Sequence, residues 1–250
     1  LNSLHETFFE DNLKDIHIFI TGVGNVGGYL MEQINVQKKF IAQNLKLNLK
    51  VLGISNSKKI VIHYSEIDII NLSKLLDKSK SKANFNDFQN KILELNLRNS
   101  LFVDNTASEV IPSTYSKYLK NGVGIVTCNK IANSVDYSNY ELLKSLSRNN
   151  NSPFFYETNV GAALPVISTL NNLINSGDKV IKIEAVLSGT LNYIFNSFIK
   201  PDTFHDIVSK AVDLGFTEPD PKIDLCGIDV SRKILILARE SGYNIEFDDV

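Results

Sequence analysis

The chain has 250 residues, and its 26 Lys and Arg against 28 Asp and Glu give a formal net charge of −2. This balance argues against a dedicated nucleic-acid-binding protein, because the chain has no excess of positive charge to bind phosphate groups. Two cysteines, Cys128 and Cys226, are too few for a disulfide framework and indicate a reducing compartment, so we predict a cytoplasmic protein. Apolar runs such as residues 234–238 are far shorter than the ~20 residues that span a bilayer, so no membrane partner is expected.

The length fits one large domain or two small ones, at about 150 residues per domain. Residues 1–15 lack an initiator Met and an apolar signal core, and we predict that they are a linker or N-terminal extension. We therefore expect the chain to be a piece of a longer protein.

The first half of the chain alternates between predicted strands and helices. A β-branched and aromatic run at 16–21 predicts a buried strand, followed by a glycine-rich turn and a helix at about 29–43. Further strands are predicted at 50–55, 59–64, 100–106 and 124–127, helices at 85–97, 109–121 and 136–149, and a solvated loop or loose helix at 71–84. This alternation predicts an α/β, Rossmann-type doubly wound parallel sheet over 16–152.

The polar run at 148–153 is the expected boundary before a second domain. Beyond it, the pattern predicts strands at 154–157 and 179–187 and helices at 164–175, 191–199, 203–214 and 227–241. We therefore predict an α+β domain over 153–250.

A dinucleotide fingerprint follows the first predicted strand. Gly22-x-Gly24-x-x-Gly27 lies between that strand and a helix, which is where the pyrophosphate of NAD or NADP binds. Gly22 permits the tight turn, Gly24 lets the backbone approach the phosphates, and Gly27 lets helix and strand pack closely. The alternative is a glycine turn of any βαβ unit.

The end of the second predicted strand bears on the choice between NAD and NADP. NAD sites usually carry Asp or Glu there, to bind the ribose 2′-hydroxyl. Here the strand ends at Ser55 and continues as Asn56-Ser57-Lys58-Lys59, which offers hydroxyls and two lysines for a 2′-phosphate. This favours NADP, or use of both nucleotides, although an ordinary solvated loop explains the residues nearly as well.

Two strand ends and one helix carry the candidate substrate residues. Asp104-Asn105-Thr106 and Thr127-Cys128-Asn129-Lys130 end neighbouring predicted strands, where ligands of such sheets bind. Lys130 points into that crevice in one interpretation and into solvent in the other. Asp229 and Lys233 lie four residues apart on a largely apolar helix, which indicates either a surface ion pair or a buried site.

Elimination reduces the number of residues that could donate a proton to the substrate. The four histidines lack metal-ligand spacing, and His205, the only one after the expected boundary, begins an ordinary amphipathic helix. Lysine is then the remaining proton donor for a carbonyl oxygen, as Lys233 or Lys130. Carboxylates at Glu218, Asp224 and Asp229 suit a substrate with an ammonium group. The residues alone therefore indicate reduction of a small amino-acid aldehyde or ketone.

Together these motifs resemble homoserine dehydrogenases over nearly the whole chain. The matching stretches are the Gly22 turn, Asp104-Asn105-Thr106, Thr127-x-Asn129-Lys130, and residues 159–165, 187–194 and 215–221. The last three stretches are highly specific to that family. Residues 4–9 resemble the linker seen where such an enzyme is fused behind an aspartokinase, so an upstream aspartokinase domain is expected.

The resemblance implies NAD(P)-dependent interconversion of L-homoserine and L-aspartate 4-semialdehyde, in threonine and methionine biosynthesis. It makes Lys233 the proton donor and acceptor at the substrate oxygen, and Asp229 the group that holds that oxygen or a nearby water. Glu218 would bind the substrate ammonium, Lys130 would bridge cofactor and substrate, and Thr106 would line the nicotinamide end. The full cofactor-binding set is Gly22, Gly24, Asn25, Val26, Gly27, Ser55, Thr106, Asn129 and Lys130, and the substrate-binding set is Glu218, Asp224 and Lys130.

The resemblance also implies a homodimer, paired through the predicted strand at 179–187, and a sodium ion. The matching sodium positions are Glu157, Val160, Ala162 and Leu164, which would ligate mainly through backbone oxygens. The family continues past the Lys233 helix into a further segment, so we expect the second domain to be incomplete at its C-terminus.

Two departures from the family pattern are local. Cys128 replaces a Pro, which removes a stiff residue, and Ala163 replaces a Gly, which adds a methyl group. Neither removes a charged group. The alternatives to this assignment are another NAD(P)-dependent amino-acid semialdehyde dehydrogenase and a non-catalytic nucleotide-binding or dimerisation fragment.

Overall fold

The computed structural model describes residues 13–69, 72–199, 203–217 and 220–250. They form two compact units: the first runs up to Asn129 and includes Glu141–Tyr156, and the second comprises Lys130–Tyr140 and Glu157–Val250. The chain therefore enters the second unit at Lys130, ahead of the boundary expected at 152/153, and returns once to the first. Of the expected N-terminal extension, residues 1–12 lie outside the described residues, whereas residues 14 and 15 already belong to the first strand.

The first unit is built on a six-stranded sheet. Its strands are β1 (Lys14–Thr21), β2 (Leu47–Ser55), β3 (Ile60–Ile62), β4 (Ser100–Asp104), β5 (Gly124–Thr127) and β6 (Phe154–Phe155). Their order is β3-β2-β1-β4-β5-β6, and every neighbouring pair is parallel except β2 with β3. This order confirms the predicted Rossmann-type sheet.

Helices connect these strands. They are α1 (Asn25–Leu45), α2 (Leu72–Lys78), α3 (Phe85–Leu95) and α4 (Tyr115–Lys120), followed by α5 (Ile131–Ser134) in the second unit and α6 (Tyr137–Asn149), which leads back into the first. The segment expected as a loop or loose helix at 71–84 thus contains α2. Instead of the helix expected at 109–121, the chain forms a 3₁₀ turn, Ile111–Thr114, with Pro112 among its first two residues, and α4 follows directly.

The sheet is covered by apolar side chains. Ile18, Ile20 and Ile54 are buried in one cluster with Met31 and Ile34 of α1. Strands of a parallel sheet are buried on both faces, which explains why β1 reads as a near-continuous apolar run. On the β4 side the core is aromatic, with the Phe102 ring stacked on Tyr118 at a centroid distance of 4.3 Å.

All regular secondary structure in the described part of the second unit is helical. In addition to α5 and the start of α6, it contains α7 (Val166–Asn175), α8 (Gly189–Ser197), α9 (Phe204–Asp213), α10 (Pro221–Leu225) and α11 (Ile228–Glu240). Side-chain caps begin three of them: Ser188 on α8, Thr203 with Asp206 on α9, and Asp220 on α10. In the described ranges, no helix is long and apolar enough to cross a membrane.

The prediction of a long strand at 179–187 is wrong. Residues 178–188 carry no regular secondary structure, and Ile181 is 96% exposed. The alternation of side chains identified a segment able to form a strand. However, a strand is stabilised by hydrogen bonds to a neighbour, and the sequence pattern says nothing about whether a neighbour is present.

Candidate active site

The carboxyl ends of β1 and β4 meet at the switch point of the sheet. From β1 the order continues to β2 on one side, and from β4 it continues to β5 on the other. Thr21 of β1 pairs with Asp104 of β4, so the residues that follow each strand lie next to each other. In open α/β sheets the ligand crevice lies outside this edge at this point.

The glycine turn after β1 has the shape of a dinucleotide cradle. Gly22 has φ of +83°, and a Cβ there would lie 2.8 Å from Cγ2 of Thr106. A Cβ on Gly27 would lie 1.9 Å from the Gly22 carbonyl oxygen, so only glycine lets α1 approach the turn this closely. Gly24 is different, because no atom lies within 4 Å of its Cβ position. Open space at Gly24 is what close approach of a ligand requires.

The first turn of α1 completes this cradle. Asn25 and Val26 are exposed, and Gly24, as the N-cap, supplies no side-chain hydrogen bond to the helix. The first backbone N–H groups of α1 therefore remain available, and they carry the positive end of the helix dipole. The turn and helix fit a pyrophosphate.

The structure corrects the role expected for Ser55. Its side chain is fully buried, and its hydroxyl shares a 2.7 Å hydrogen bond with the hydroxyl of Thr21. Ser55 thus joins β1 to β2 instead of facing a cofactor. Beyond it, Ser57 and Lys58 are exposed, whereas Lys59 donates to the Ser79 carbonyl at 2.6 Å.

Thr106 and Asn129 follow β4 and β5 in the first unit. Thr106 lies against Gly22, as the Cβ position there shows, and is partly buried. Asn129 is 4% exposed, and its Nδ2 donates to the Ser108 carbonyl at 2.8 Å. The Asn129 side chain therefore holds two loops together, in addition to any contact that its position gives to a cofactor.

The second unit brings three predicted residues into one cluster. On α11, Lys233 Nζ lies 2.8 Å from Oδ2 of Asp229, at the i, i+4 spacing. Lys130, immediately before α5, places its Nζ 3.1 Å from Oδ1 of the same carboxylate. Lys233 also donates to the Leu187 carbonyl at 2.6 Å, and its side chain is only 18% exposed. This is a part-buried lysine–carboxylate–lysine arrangement, not an isolated surface pair.

Electrostatics keep Asp229 ionised. Partial burial raises the pKa of its carboxyl, but the hydrogen bond from Lys233 and the charge and hydrogen bond of Lys130 outweigh burial and lower the pKa below its ordinary value. The carboxylate therefore persists into mildly acidic solution and keeps both ammonium groups oriented.

The other two predicted carboxylates are those of Asp224 and Glu218. Asp224 lies on α10 and is partly buried. Glu218 lies outside the described residues.

The predicted sodium positions lie on one segment after β6. Glu157 begins a 3₁₀ turn, Val160 is buried, and Ala162 has φ of +51°. Both carboxylate oxygens of Glu157 accept backbone N–H groups at the start of α7, at 2.8 and 2.9 Å, and the Leu164 carbonyl accepts the N–H of Val166.

Arg239 is a residue of this unit that sequence reasoning missed. Its guanidinium is fully buried, and Nη1 donates to the carbonyls of Asn133 and Val135 at 3.0 and 2.6 Å. Nη2 lies 3.0 Å from Oε2 of Glu246. Arg239 thereby fixes the end of α5, the helix that starts after Lys130, to the end of α11. An arginine among the buried positions of an amphipathic helix was the signal available in the sequence.

The strand order and the glycine turn at the switch point define a Rossmann-type dinucleotide-binding fold, as used by NAD(P)-dependent oxidoreductases. The family model described as "Homoserine dehydrogenase, NAD binding domain" matches residues 22–157, and the one described as "Homoserine dehydrogenase" matches residues 165–250. The chain belongs to the homoserine dehydrogenase family, as its motifs predicted.

Similar proteins carry the same name. The bifunctional aspartokinase/homoserine dehydrogenase of Buchnera aphidicola is 41% identical over 99% of this chain and 30% of its own length. The homoserine dehydrogenase of Schizosaccharomyces pombe is 39% identical over 93% of this chain and 63% of its own length. A hyperthermophilic archaeal homoserine dehydrogenase in complex with NADPH superposes with a TM-score of 0.75 at 26% identity, covering 91% of this chain and 70% of that one. The chain thus spans less than a third of the bifunctional relative.

Proposed function

We propose that the protein interconverts L-homoserine and L-aspartate 4-semialdehyde with a nicotinamide nucleotide, in threonine and methionine biosynthesis. The observation that carries this proposal is the Lys130–Asp229–Lys233 cluster, because it holds a part-buried ammonium group in a defined direction. A bound NAD(P) supplies or accepts the hydride at the substrate carbon. The chain itself must give a proton to the carbonyl oxygen during reduction and take it back during oxidation.

Lys233 is the proposed acid and base. Its ammonium group has three N–H donors. Asp229 and the Leu187 carbonyl accept two of them, which leaves the third for the substrate oxygen. In the oxidation direction the neutral amine accepts the hydroxyl proton. Lys130, held by the same carboxylate, is proposed to contact both cofactor and substrate.

The substrate ammonium requires carboxylates. We assign this role to Glu218 and Asp224, which flank the start of α10 and are close in sequence to Asp229. Their negative charge suits an amino acid and disfavours a substrate without an amine.

We expect NADP to be preferred over NAD, with use of NAD retained. The loop after β2 offers the exposed Ser57 and Lys58 and carries no carboxylate between Ser55 and Lys59. Lys58 is the proposed partner of the 2′-phosphate, because Lys59 is bonded to the Ser79 carbonyl and Ser55 is buried.

The predicted sodium site would rest on backbone oxygens. Both carboxylate oxygens of Glu157 cap α7, and the Leu164 carbonyl accepts one hydrogen bond. A sodium ion needs several oxygens converging on one point. Sodium stays a prediction, and no step is assigned to it.

We further propose a cytoplasmic homodimer, with an aspartokinase domain upstream as in the bifunctional relatives. Support for the dimer comes from residues 179–187, which are extended in pattern and expose Ile181 and Val186. Antiparallel pairing of two copies centred on Ile183 would place Lys182 opposite Glu184 of the second copy. Opposite charges in directly opposed positions stabilise such a pair.

Homoserine oxidation tests the proposed reaction. With L-homoserine and NADP, formation of NADPH is followed by its absorbance, for the unmodified protein, Lys233→Ala and the control Lys210→Ala on the exposed face of α9. We expect Lys233→Ala to lower kcat by ~10²–10⁴-fold with NADPH affinity retained, because it removes the acid and base but no cofactor contact. Near-normal kcat in Lys233→Ala would remove that role from Lys233. NADPH binding without turnover in any of the three proteins would instead favour a non-catalytic binding module.

A further inference from the structure

A buried polar network lies at the carboxyl ends of β4 and β5 in the first unit. Its centre is the carboxylate of Asp104, which is 0% exposed. Tyr115, also fully buried, donates its hydroxyl to Oδ2 of Asp104 at 2.6 Å and shares a 2.9 Å hydrogen bond with the Thr127 hydroxyl. Asn129 Nδ2 lies 3.3 Å from the same Oδ2, and the Thr106 N–H donates to Oδ1 at 2.8 Å.

Burial of the Asp104 carboxylate carries a desolvation cost, which its hydrogen bonds offset. Burial raises the pKa of Asp104, despite the hydrogen bonds that lower it, because the carboxylate is removed from water. Burial also raises the pKa of Tyr115 well above its ordinary value, so this hydroxyl remains a donor. Apolar residues of similar volume would avoid the desolvation cost at these positions.

The network connects the two loops that follow β4 and β5. Asp104 Oδ1 fixes the backbone at Thr106, the residue that lies against Gly22 of the glycine turn. On the other loop, the Asn129 N–H donates to the Thr127 hydroxyl at 2.9 Å, and its side chain reaches the Ser108 carbonyl. One carboxylate thus fixes both loops beside the dinucleotide cradle.

We propose that Asp104 and Tyr115 are positioning residues for the nicotinamide nucleotide, which act by fixing the loops that carry Thr106 and Asn129. This inference rests on the proposed use of NAD(P). Neither side chain touches the cofactor, since both are fully buried. Their contribution is the preformed geometry of the loops, which lowers the ordering cost of binding.

Direct binding of NADPH to the intact chain tests this role. Asp104→Asn keeps the shape of the side chain but replaces one accepting oxygen by an amide N–H₂, which then faces the donor of Thr106 or of Tyr115. Tyr115→Phe removes only the hydroxyl. The matched control is Ser152→Ala, which loses the buried 2.9 Å hydrogen bond to the Leu119 carbonyl without touching either loop. We expect the first two variants to raise the Kd of NADPH by ~10-fold, measured by calorimetric titration well below the Tm, and Ser152→Ala to leave it unchanged.

The outcomes separate positioning from stability. If Asp104→Asn and Tyr115→Phe lower the Tm but bind NADPH like Ser152→Ala, the network is structural only and the inference is overturned. Should Asp104→Asn fail to fold, Tyr115→Phe alone decides by the same comparison. If the unmodified chain does not bind NADPH, the proposed use of NAD(P) fails, and the positioning role fails with it.

Discussion

Glycines at the start of α1 differ in what surrounds them. Gly27 touches the turn so closely that any side chain would collide with backbone, whereas Gly24 and Gly28 face open space. The fingerprint spacing alone cannot distinguish these situations, because it records only residue type. The protein itself therefore requires glycine at position 27 but leaves room for a side chain at position 24, where the fingerprint predicts that a ligand approaches the backbone.

Alanine at Gly24 separates these requirements. We expect Gly24→Ala to leave the Tm nearly unchanged but to weaken NADPH binding, because the added methyl meets no protein atom and would meet a pyrophosphate. Gly28→Ala is the matched control: it also meets no atom within 4 Å, lies inside α1 and should add about 0.5–1 kcal/mol of stability. Thermal unfolding and NADPH titration check both. Equal NADPH affinities in the two variants would contradict a pyrophosphate site at Gly24.

The sequence predicts the position of a site residue where that position depends only on residues nearby in the chain. The Asp229–Lys233 pair follows from helical spacing, and the glycine turn follows from the motif. The direction of the Ser55 side chain did not follow, because it depends on Thr21 of the neighbouring strand. The position of Lys130 is likewise set by a helix about 100 residues further along the chain.

Among the elements, α5 and α11 form the pair that shapes the candidate site. α5 is a four-residue helix, too short to be stable alone. It is attached to α11 at its start through Lys130 and Asp229, and at its end through Arg239. The lysine that precedes α5 is therefore positioned by tertiary contacts.

Replacement of Arg239 tests this attachment. Arg239→Lys keeps the charge but loses the planar set of five donors. The buried carbonyl of Asn133 and the part-buried carbonyls of Val135 and Ile245 then lose hydrogen bonds. We expect a loss of about 3 kcal/mol in the free energy of unfolding, measured by urea denaturation. Arg232→Lys on the same helix, where the side chain is only partly buried, is the control and should stay within about 0.5 kcal/mol. Equal losses in both variants would refute the attachment.

At the scale of the whole molecule, the exposed segment at 179–187 bears on assembly. Its backbone belongs to no sheet in the described chain, while Ile181 and Val186 are 96% and 72% exposed. An unpaired segment with this pattern gains both hydrogen bonds and apolar burial when a second copy pairs with it.

A charge placed at Ile181 tests pairing. We expect the unmodified protein to be a dimer at micromolar concentration and Ile181→Asp to shift it to monomer, because a carboxylate would be buried at the interface. Sedimentation velocity measures the oligomeric state. Tyr64→Asp, at a 93% exposed position in the first unit, is the control and should remain dimeric. A monomeric unmodified protein, or a dimeric Ile181→Asp variant, would disprove pairing through this segment.

By itself, the sequence determined the Rossmann-type sheet and the glycine turn, because these depend on periodicities and spacings within a few residues of the chain. Only the tertiary structure decided that Lys130 joins Asp229 and Lys233, that Ser55 faces inward, and that Asp104 fixes two loops. It also decided that residues 179–187 are not a formed strand. The contacts of Lys130 with Asp229, of Ser55 with Thr21 and of Asp104 with Asn129 join residues distant in sequence, and such bonds form only where folding brings the partners within about 3 Å.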